Sequence, residues 1–293
     1  MPNDDATRFR PARRPALTVL AALAGVATLT AAAMSGAAER ELRVCADPNN
    51  MPFSNEAGEG FENALAAIVA DELEATLSYT WWAQRRGFVR NTLNAGACDL
   101  VVGVPAGYEL VETTRPYYRS AYVFVYPPRE AEGLRSIRDP RLRDLVIGVH
   151  LTGDDGTNPP PAHALGRLGI VENVVGYMIY GDYREDNPPA RIIHAVAQGR
   201  IDVAAAWGPM AGYFARRATP RLAVEPITDT EFANIPFEFS IAMGVRKGET
   251  ALRDEVQEAL DRRRNEIEDV LRRFDVPLLT PAALARSDQE PRP

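Results

Sequence analysis

The sequence is poor in the residues that build metal centres and covalent catalysts. Two cysteines, Cys45 and Cys98, occur in 293 residues, which excludes a disulfide-rich scaffold and any multi-cysteine zinc or iron–sulfur site. The three histidines, His150, His163 and His194, lie far apart, so no histidine-rich metal centre is expected. Lys247 is the single lysine beside 32 arginines, a skew read as genome composition, and no P-loop can be assembled around it. The motifs G-x-S-x-G, H-E-x-x-H, C-x-x-C and S-x-x-K are all missing. A basic excess is missing too. The formal charge is −7 and the pI about 5.2, which argues against a nucleic-acid binder.

Other candidate sites are thin. Asp154-Asp155-Gly156 and the run from Asp182 to Asn187 are acidic, but neither has the ligand spacing of an EF-hand loop, and both read as solvated turns. A Cys98–histidine pair is the one nucleophile–base combination left open, and the pattern as a whole is that of a non-enzyme without metal or cofactor. The apolar fraction of 46% and charged fraction of 25% are those of an ordinary folded protein.

The first residues read as an address. Arg8, Arg10, Arg13 and Arg14 precede an apolar stretch from Ala16 to about Met34, which ends in Ser35, Gly36, Ala37 and Ala38. A charged start, an apolar middle and a small-residue exit describe a secretory signal peptide over residues 1–38; a retained membrane anchor is the alternative. Cleavage would start the mature chain near Glu39 with no membrane segment. Residues 1–38 carry four arginines against two aspartates, so their removal takes the formal charge from −7 to −9. Export places Cys45 and Cys98 in an oxidising compartment. They can form a disulfide or remain two buried thiols, and Cα separation decides which.

Strands and helices alternate along the mature chain. The patterning predicts strands at Leu42–Ala46, Leu77–Trp82 and Leu100–Val104, with helices over Phe61–Leu73 and Phe88–Ala95. Tyr117–Tyr126 reads as one long strand or a strand pair. Pro127-Pro128 and Asp139-Pro140 then mark a linker. The pattern restarts with strands at Leu145–Val149, Val174–Tyr180, Ile201–Ala206, Leu222–Ile227 and Phe239–Val245. Helices are expected at Ala162–Leu168, Arg191–Gln198 and Gly208–Arg217, and one long helix at Thr250–Phe274. Alternation restarted once implies two α/β lobes with a cleft at their strand ends.

Aromatic and arginine side chains cluster near those ends: Trp82 with Arg85, Tyr117 and Tyr118 with Arg119 and Tyr122, and Trp207 with Met210 and Tyr213. Such groups stack, grip anions or dock proteins. Asn49, Trp82, Arg85, Tyr108, Tyr117 and Arg119 are the cleft candidates of the first lobe. His150, Asp154, Asp182 and Trp207 are those of the second. Trp and Tyr would stack, Arg would grip an anion or peptide, and Asn, Asp and His would hydrogen-bond.

Gly60-Phe61-Glu62-Asn63, Cys98-Asp99-Leu100-Val101, Arg115-Pro116-Tyr117 and Gly199-Arg200-Ile201-Asp202-Val203 follow one another in an order that resembles periplasmic solute-binding proteins of the amino-acid-receptor type. The resemblance implies a type II periplasmic-binding-protein fold, two lobes joined by a hinge around a cleft, with lobe I at 39–127 plus 228–293 and lobe II at 128–227. Two departures stand out. Gly107-Tyr108-Glu109 occupies the place of the arginine that grips an amino acid's carboxylate, and Ala206-Trp207-Gly208-Pro209 that of the acidic residue that pairs its ammonium. Burying either end of an amino acid unpaired is costly.

Longer strings narrow the likeness. Val44-Cys45-Ala46-Asp47-Pro48-Asn49-Asn50-Met51-Pro52-Phe53, Gln84-Arg85-Arg86-Gly87-Phe88 and Tyr180-Gly181-Asp182-Tyr183-Arg184 resemble the MxaJ/XoxJ branch. That resemblance implies a periplasmic accessory protein that binds or activates a PQQ-dependent methanol dehydrogenase, with the enzyme's cytochrome c as a second partner. The alternative is a receptor that hands a small non-amino-acid ligand to an ABC transporter.

Overall fold

The computed structural model describes residues 40–128, 131–151, 158–178 and 185–279. The expected signal segment, Asp154 and Asp182 lie outside the described residues.

In chain order the elements are β1 (Glu41–Ala46), the two-residue pair β2 (Asn49–Asn50) and β3 (Ser54–Asn55), α1 (Phe61–Glu72), β4 (Thr76–Trp81), α2 (Phe88–Asn91), β5 (Leu100–Pro105), β6 (Glu112–Thr113) and β7 (Tyr118–Tyr126). There follow β8 (Ile147–Leu151), α3 (Pro160–Arg167), β9 (Val174–Met178), α4 (Arg191–Ala197), β10 (Val203–Trp207), α5 (Gly208–Arg217), β11 (Ala223–Pro226), β12 (Glu231–Phe232), β13 (Ile235–Pro236), β14 (Glu238–Val245), α6 (Thr250–Arg262) and α7 (Arg264–Arg273).

The main strands form one path, β4-β1-β5-β14-β7-β10-β8-β9. At one end β1 lies parallel to β4 and β5; at the other β8 lies parallel to β9 and β10. Strand β7 joins them. Its residues 118–121 pair antiparallel with β14, and Tyr122–Val125 pair antiparallel with β10. The aromatic, β-branched run Tyr118–Tyr126 is thus one strand that changes partner between Ala121 and Tyr122.

Each end has its own core. Leu42, Val44, Leu65, Val102, Met243 and Leu271 belong to the first, covered by α1, α6 and α7. The other end alternates with a period of two, as a sheet covered on both faces must. Val203, Ala205 and Phe124 face one core with Leu165 of α3, whereas Ala204, Ala206, Val123 and Val125 face the other with Ile192 and Met210. Phe232 and Phe237 lie in the second end's core, although the sequence reading places residues 228–237 in the first lobe.

A small satellite core holds Cys45 and Cys98, joined as a disulfide with Cα atoms 5.5 Å apart, beside Phe88, Leu93 and Val104. Two helices differ from expectation. α2 stops at Asn91, before the expected Ala95. Thr92 Oγ1 donates to the Phe88 carbonyl at 2.7 Å, and this local bond competes with helix continuation. The expected single helix over 250–274 is divided at Arg263, whose guanidinium pairs with Asp71 of α1 at 2.8 Å and Glu266 of α7 at 2.6 Å. Neither glycine nor proline marks that break.

Candidate functional site

A cavity of about 420 Å³ opens where the two ends of the sheet meet. Its first wall is set by the turn after β1. Asp47 is buried, and its two carboxylate oxygens accept the backbone N–H groups of Asn49 at 2.9 Å and Gln84 at 2.6 Å. Asn50 Nδ2 donates to Gln84 Oε1 at 3.1 Å, fixing both amides at the cavity edge. The start of α1 is packed beneath this turn. A Cβ at Gly60 would stand 2.0 Å from the Phe53 carbonyl, so only glycine fits there. Asn63 Oδ1 accepts the N–H of Gly60 and of Asn55, each at 3.1 Å.

This scaffold delivers Glu62 into the cavity. Its Oε1 lies directly over strand β5, where a Cβ on residue 103 would come within 2.1 Å of it; Gly103 makes room. Burial, with the Asp47 charge adding to it, pushes the Glu62 carboxyl up to about 8. Among the described residues no arginine or lysine lines the cavity.

The remaining wall is aromatic. Tyr122 and Trp207 have ring centroids 5.3 Å apart, Trp207 and Phe239 5.8 Å at an interplanar angle of 77°, and Tyr122 and Phe239 6.4 Å at 72°. Phe239 stands edge to face against Tyr122 and Trp207, which are tilted 59° to each other; the three make a corner, and Phe53 and Tyr118 extend it. Pro105, Pro159, Pro160 and Pro189 complete an apolar rim. His150 is buried, its Nε2–H donating to the Pro189 carbonyl at 3.3 Å, and desolvation pushes its imidazole down to about 4. It is a neutral, fixed group.

The expected site residues divide by position. His150 and Trp207 line the cavity. Asn49 is outside the lining, next to Asn50, and bonds to the segment before Pro189: its Nδ2 donates to the Glu185 carbonyl at 2.8 Å and its Oδ1 accepts the Asn187 N–H at 3.1 Å. Tyr117 turns into the first core, its hydroxyl donating to the Val102 carbonyl at 3.0 Å. Arg119 pairs with Glu238 at 2.7 Å across β7 and β14. Trp82 is 43% exposed and Tyr108 37%, and Arg85 is exposed; all three are outside the cavity lining.

Glu62, Phe53 and Phe239 are cavity residues that the sequence reading did not select. One local signal was available for Glu62: a glycine inside the apolar strand Leu100–Val104 marks a close approach by another group.

Both cysteines are in the disulfide, leaving no free thiol, and His150 is engaged by a backbone carbonyl. Among the described residues no three His, Cys, Asp or Glu side chains gather as a metal-ligand set.

No family model matches the chain. Curated relatives do. The chain is 34% identical to protein MoxJ of Methylorubrum extorquens over 283 residues, covering 90% of this chain and 92% of that one. Among solved structures it is similar to the periplasmic binding protein XoxJ of Methylobacterium extorquens, at 40% identity and a TM-score of 0.67, covering 82% of this chain and 99% of XoxJ. It is also similar to MxaJ of Methylophaga aminisulfidivorans, at 28% identity and a TM-score of 0.71, covering 81% of this chain and all of MxaJ. With this fold, this inter-sheet cavity and relatives matched nearly end to end, the chain belongs to the MxaJ/XoxJ family of type II periplasmic binding proteins.

Proposed function

We propose that the protein is exported, matures near Glu39, and serves in the periplasm as an accessory binding protein of a PQQ-dependent methanol dehydrogenase system, binding or activating the dehydrogenase. The observation that carries the reading is the end-to-end match to MoxJ and XoxJ. The cavity supports it by what it lacks. Among the described residues its lining has no arginine for a ligand carboxylate, so it is ill suited to amino acids.

In this reading the protein works as two lobes that meet where the chain crosses at Ala121–Tyr122 and again at Phe237–Glu238, with motion about β7 opening and closing the cavity. The exposed Trp82, Arg85 and Tyr108 are the proposed contacts to the dehydrogenase. Exposed aromatic and arginine side chains are the residue types that dominate protein interfaces. The acidic mature chain would orient toward a basic partner surface. The protein itself performs no covalent step.

Co-elution tests this. The mature protein, mixed with the quinoprotein methanol dehydrogenase of its own organism, should shift on size exclusion, and the Trp82→Ala, Arg85→Ala double variant should shift less. Elution as two separate species would favour the receptor alternative.

A further inference from the structure

We propose that the cavity binds a small organic ammonium ion with an apolar body, held by Glu62 as counter-charge and by the Tyr122–Trp207–Phe239 corner as a cation-binding face. This goes beyond the accessory role and does not depend on it; the cavity can be tested with the dehydrogenase absent.

The sign of the ligand follows from the lining. Glu62 places one carboxyl in a space where no arginine or lysine of the described residues answers it. An anionic ligand would bring a charge that no arginine or lysine of the described lining answers. A sugar-like ligand would need a dense set of free hydrogen-bonding groups; of the lining amides Asn50 and Gln84 bond to each other and His150 bonds to the Pro189 carbonyl, which leaves Asn158 beside the rings and prolines. A divalent metal ion would need several oxygen ligands, and among the described residues Glu62 is the one carboxyl of the lining. A monovalent organic cation satisfies both features at once. Its nitrogen meets the carboxylate, and its alkyl or aryl body meets aromatic faces, which attract cations through their ring quadrupoles. The volume, near the lower end of the roughly 300–1,000 Å³ typical of ligand pockets, limits the ion to a small molecule.

The carboxyl is placed deliberately by the backbone. Gly103 leaves the gap into which Oε1 fits. The titratable groups around it among the described residues are Asp47 from the turn after β1, Tyr79 of β4, Tyr117 just before β7, Tyr118 and Tyr122 of β7, and His150 across the cavity on β8. Burial keeps Tyr79, Tyr117 and Tyr118 protonated and His150 neutral. Glu62 is therefore the group that changes charge near neutrality. In the empty cavity it holds a proton up to about pH 8. An arriving cation displaces that proton.

The test is calorimetry and thermal shift on the mature protein with two matched pairs, choline against 3,3-dimethyl-1-butanol and benzylammonium against benzyl alcohol. At pH 8.5 at least one cation should bind ten times or more tightly than its neutral isostere. Its affinity should fall by up to about tenfold per pH unit below pH 8, with a proton released to buffer. Glu62→Gln should abolish the preference for charge while leaving isostere binding unchanged, and Glu62→Asp, which keeps the charge, should retain part of it. Circular dichroism confirms that each variant is folded. Equal binding of cation and isostere, or no binding of either cation by folded wild-type protein, overturns the proposal.

Discussion

Asn49 holds the backbone of Asn187 beside the cavity: its Oδ1 accepts the Asn187 N–H at 3.1 Å while its Nδ2 donates to the Glu185 carbonyl. Residue 49 belongs to the turn after β1 and residues 185–187 to the segment before α4, so one side chain ties the two ends of the sheet together. Net values of about 1 kcal/mol per hydrogen bond make this a latch of roughly 2 kcal/mol. Asn49→Ala should raise amide exchange at 185–187 and increase the radius of gyration in X-ray scattering, with far-UV dichroism unchanged. An unaltered exchange pattern would show that the latch does not hold the closed state.

Glu62 and His150 make stability depend on pH in opposite senses. Glu62 has its carboxyl raised to about 8, so the folded state retains a proton that the unfolded chain gives up above about pH 4.3. Its contribution is present at acid pH and is lost as pH rises through 8. His150 has its imidazole lowered to about 4, so its contribution is complete above about pH 6.5 and is lost as pH falls towards 4, by up to about 3 kcal/mol. The two slopes oppose each other between about 4.3 and 6.5. Above 6.5 only the Glu62 loss remains. Urea titrations from pH 5 to 9 should show Glu62→Gln gaining on wild type as pH rises, with the gain levelling off above 8. A difference constant with pH would contradict the placement of the carboxyl.

The Cys45–Cys98 bridge closes a loop of 53 residues, for which chain entropy gives about 4 kcal/mol. Reduction, or the Cys45→Ala, Cys98→Ala double variant, should lower stability by about 2–5 kcal/mol in guanidinium unfolding. Two titratable thiols in the denatured, unreduced protein would rule the bridge out.

Tyr117 and Trp207 separate a core role from a cavity role. Tyr117→Phe removes the hydrogen bond to the Val102 carbonyl and should cost about 1 kcal/mol without affecting binding at the cavity. Trp207→Ala removes one face of the aromatic corner and should weaken cavity ligands while leaving the proposed dehydrogenase contact at Trp82 intact. Titration of both variants with the same ligand distinguishes them; equal losses would mean that Tyr117 also shapes the cavity.

Much of the strand–helix order was legible because periodicity and turn residues agree. The helix over Gly208–Arg217 and the strand at Leu100–Val104 stand out from local pattern alone, and the structure has both within a residue. The break at Arg263 was not legible, since it depends on ion pairs to Asp71 and Glu266, and Asp71 lies 192 residues away in the chain. The cavity was legible only in part. Residues at strand ends, such as His150 and Trp207, can be placed from the alternation. For Glu62 of α1, the glycine at 103 in β5 signals that some group approaches closely, but which group does so depends on three-dimensional packing that no local window contains. Tyr117 and Tyr118 have ring centroids 5.0 Å apart and both pack on the first core; Tyr118, the first residue of β7, also reaches the cavity, a distinction that the sequence pattern does not carry.

The most direct test of the account is a calorimetric titration of the mature protein into the quinoprotein methanol dehydrogenase of its own organism, with and without bound PQQ and metal. The account predicts a saturable heat with a dissociation constant in the micromolar range or tighter, about −8 kcal/mol or better, and stronger binding to the cofactor-free form if the role is maturation. No heat with either form would contradict the accessory role.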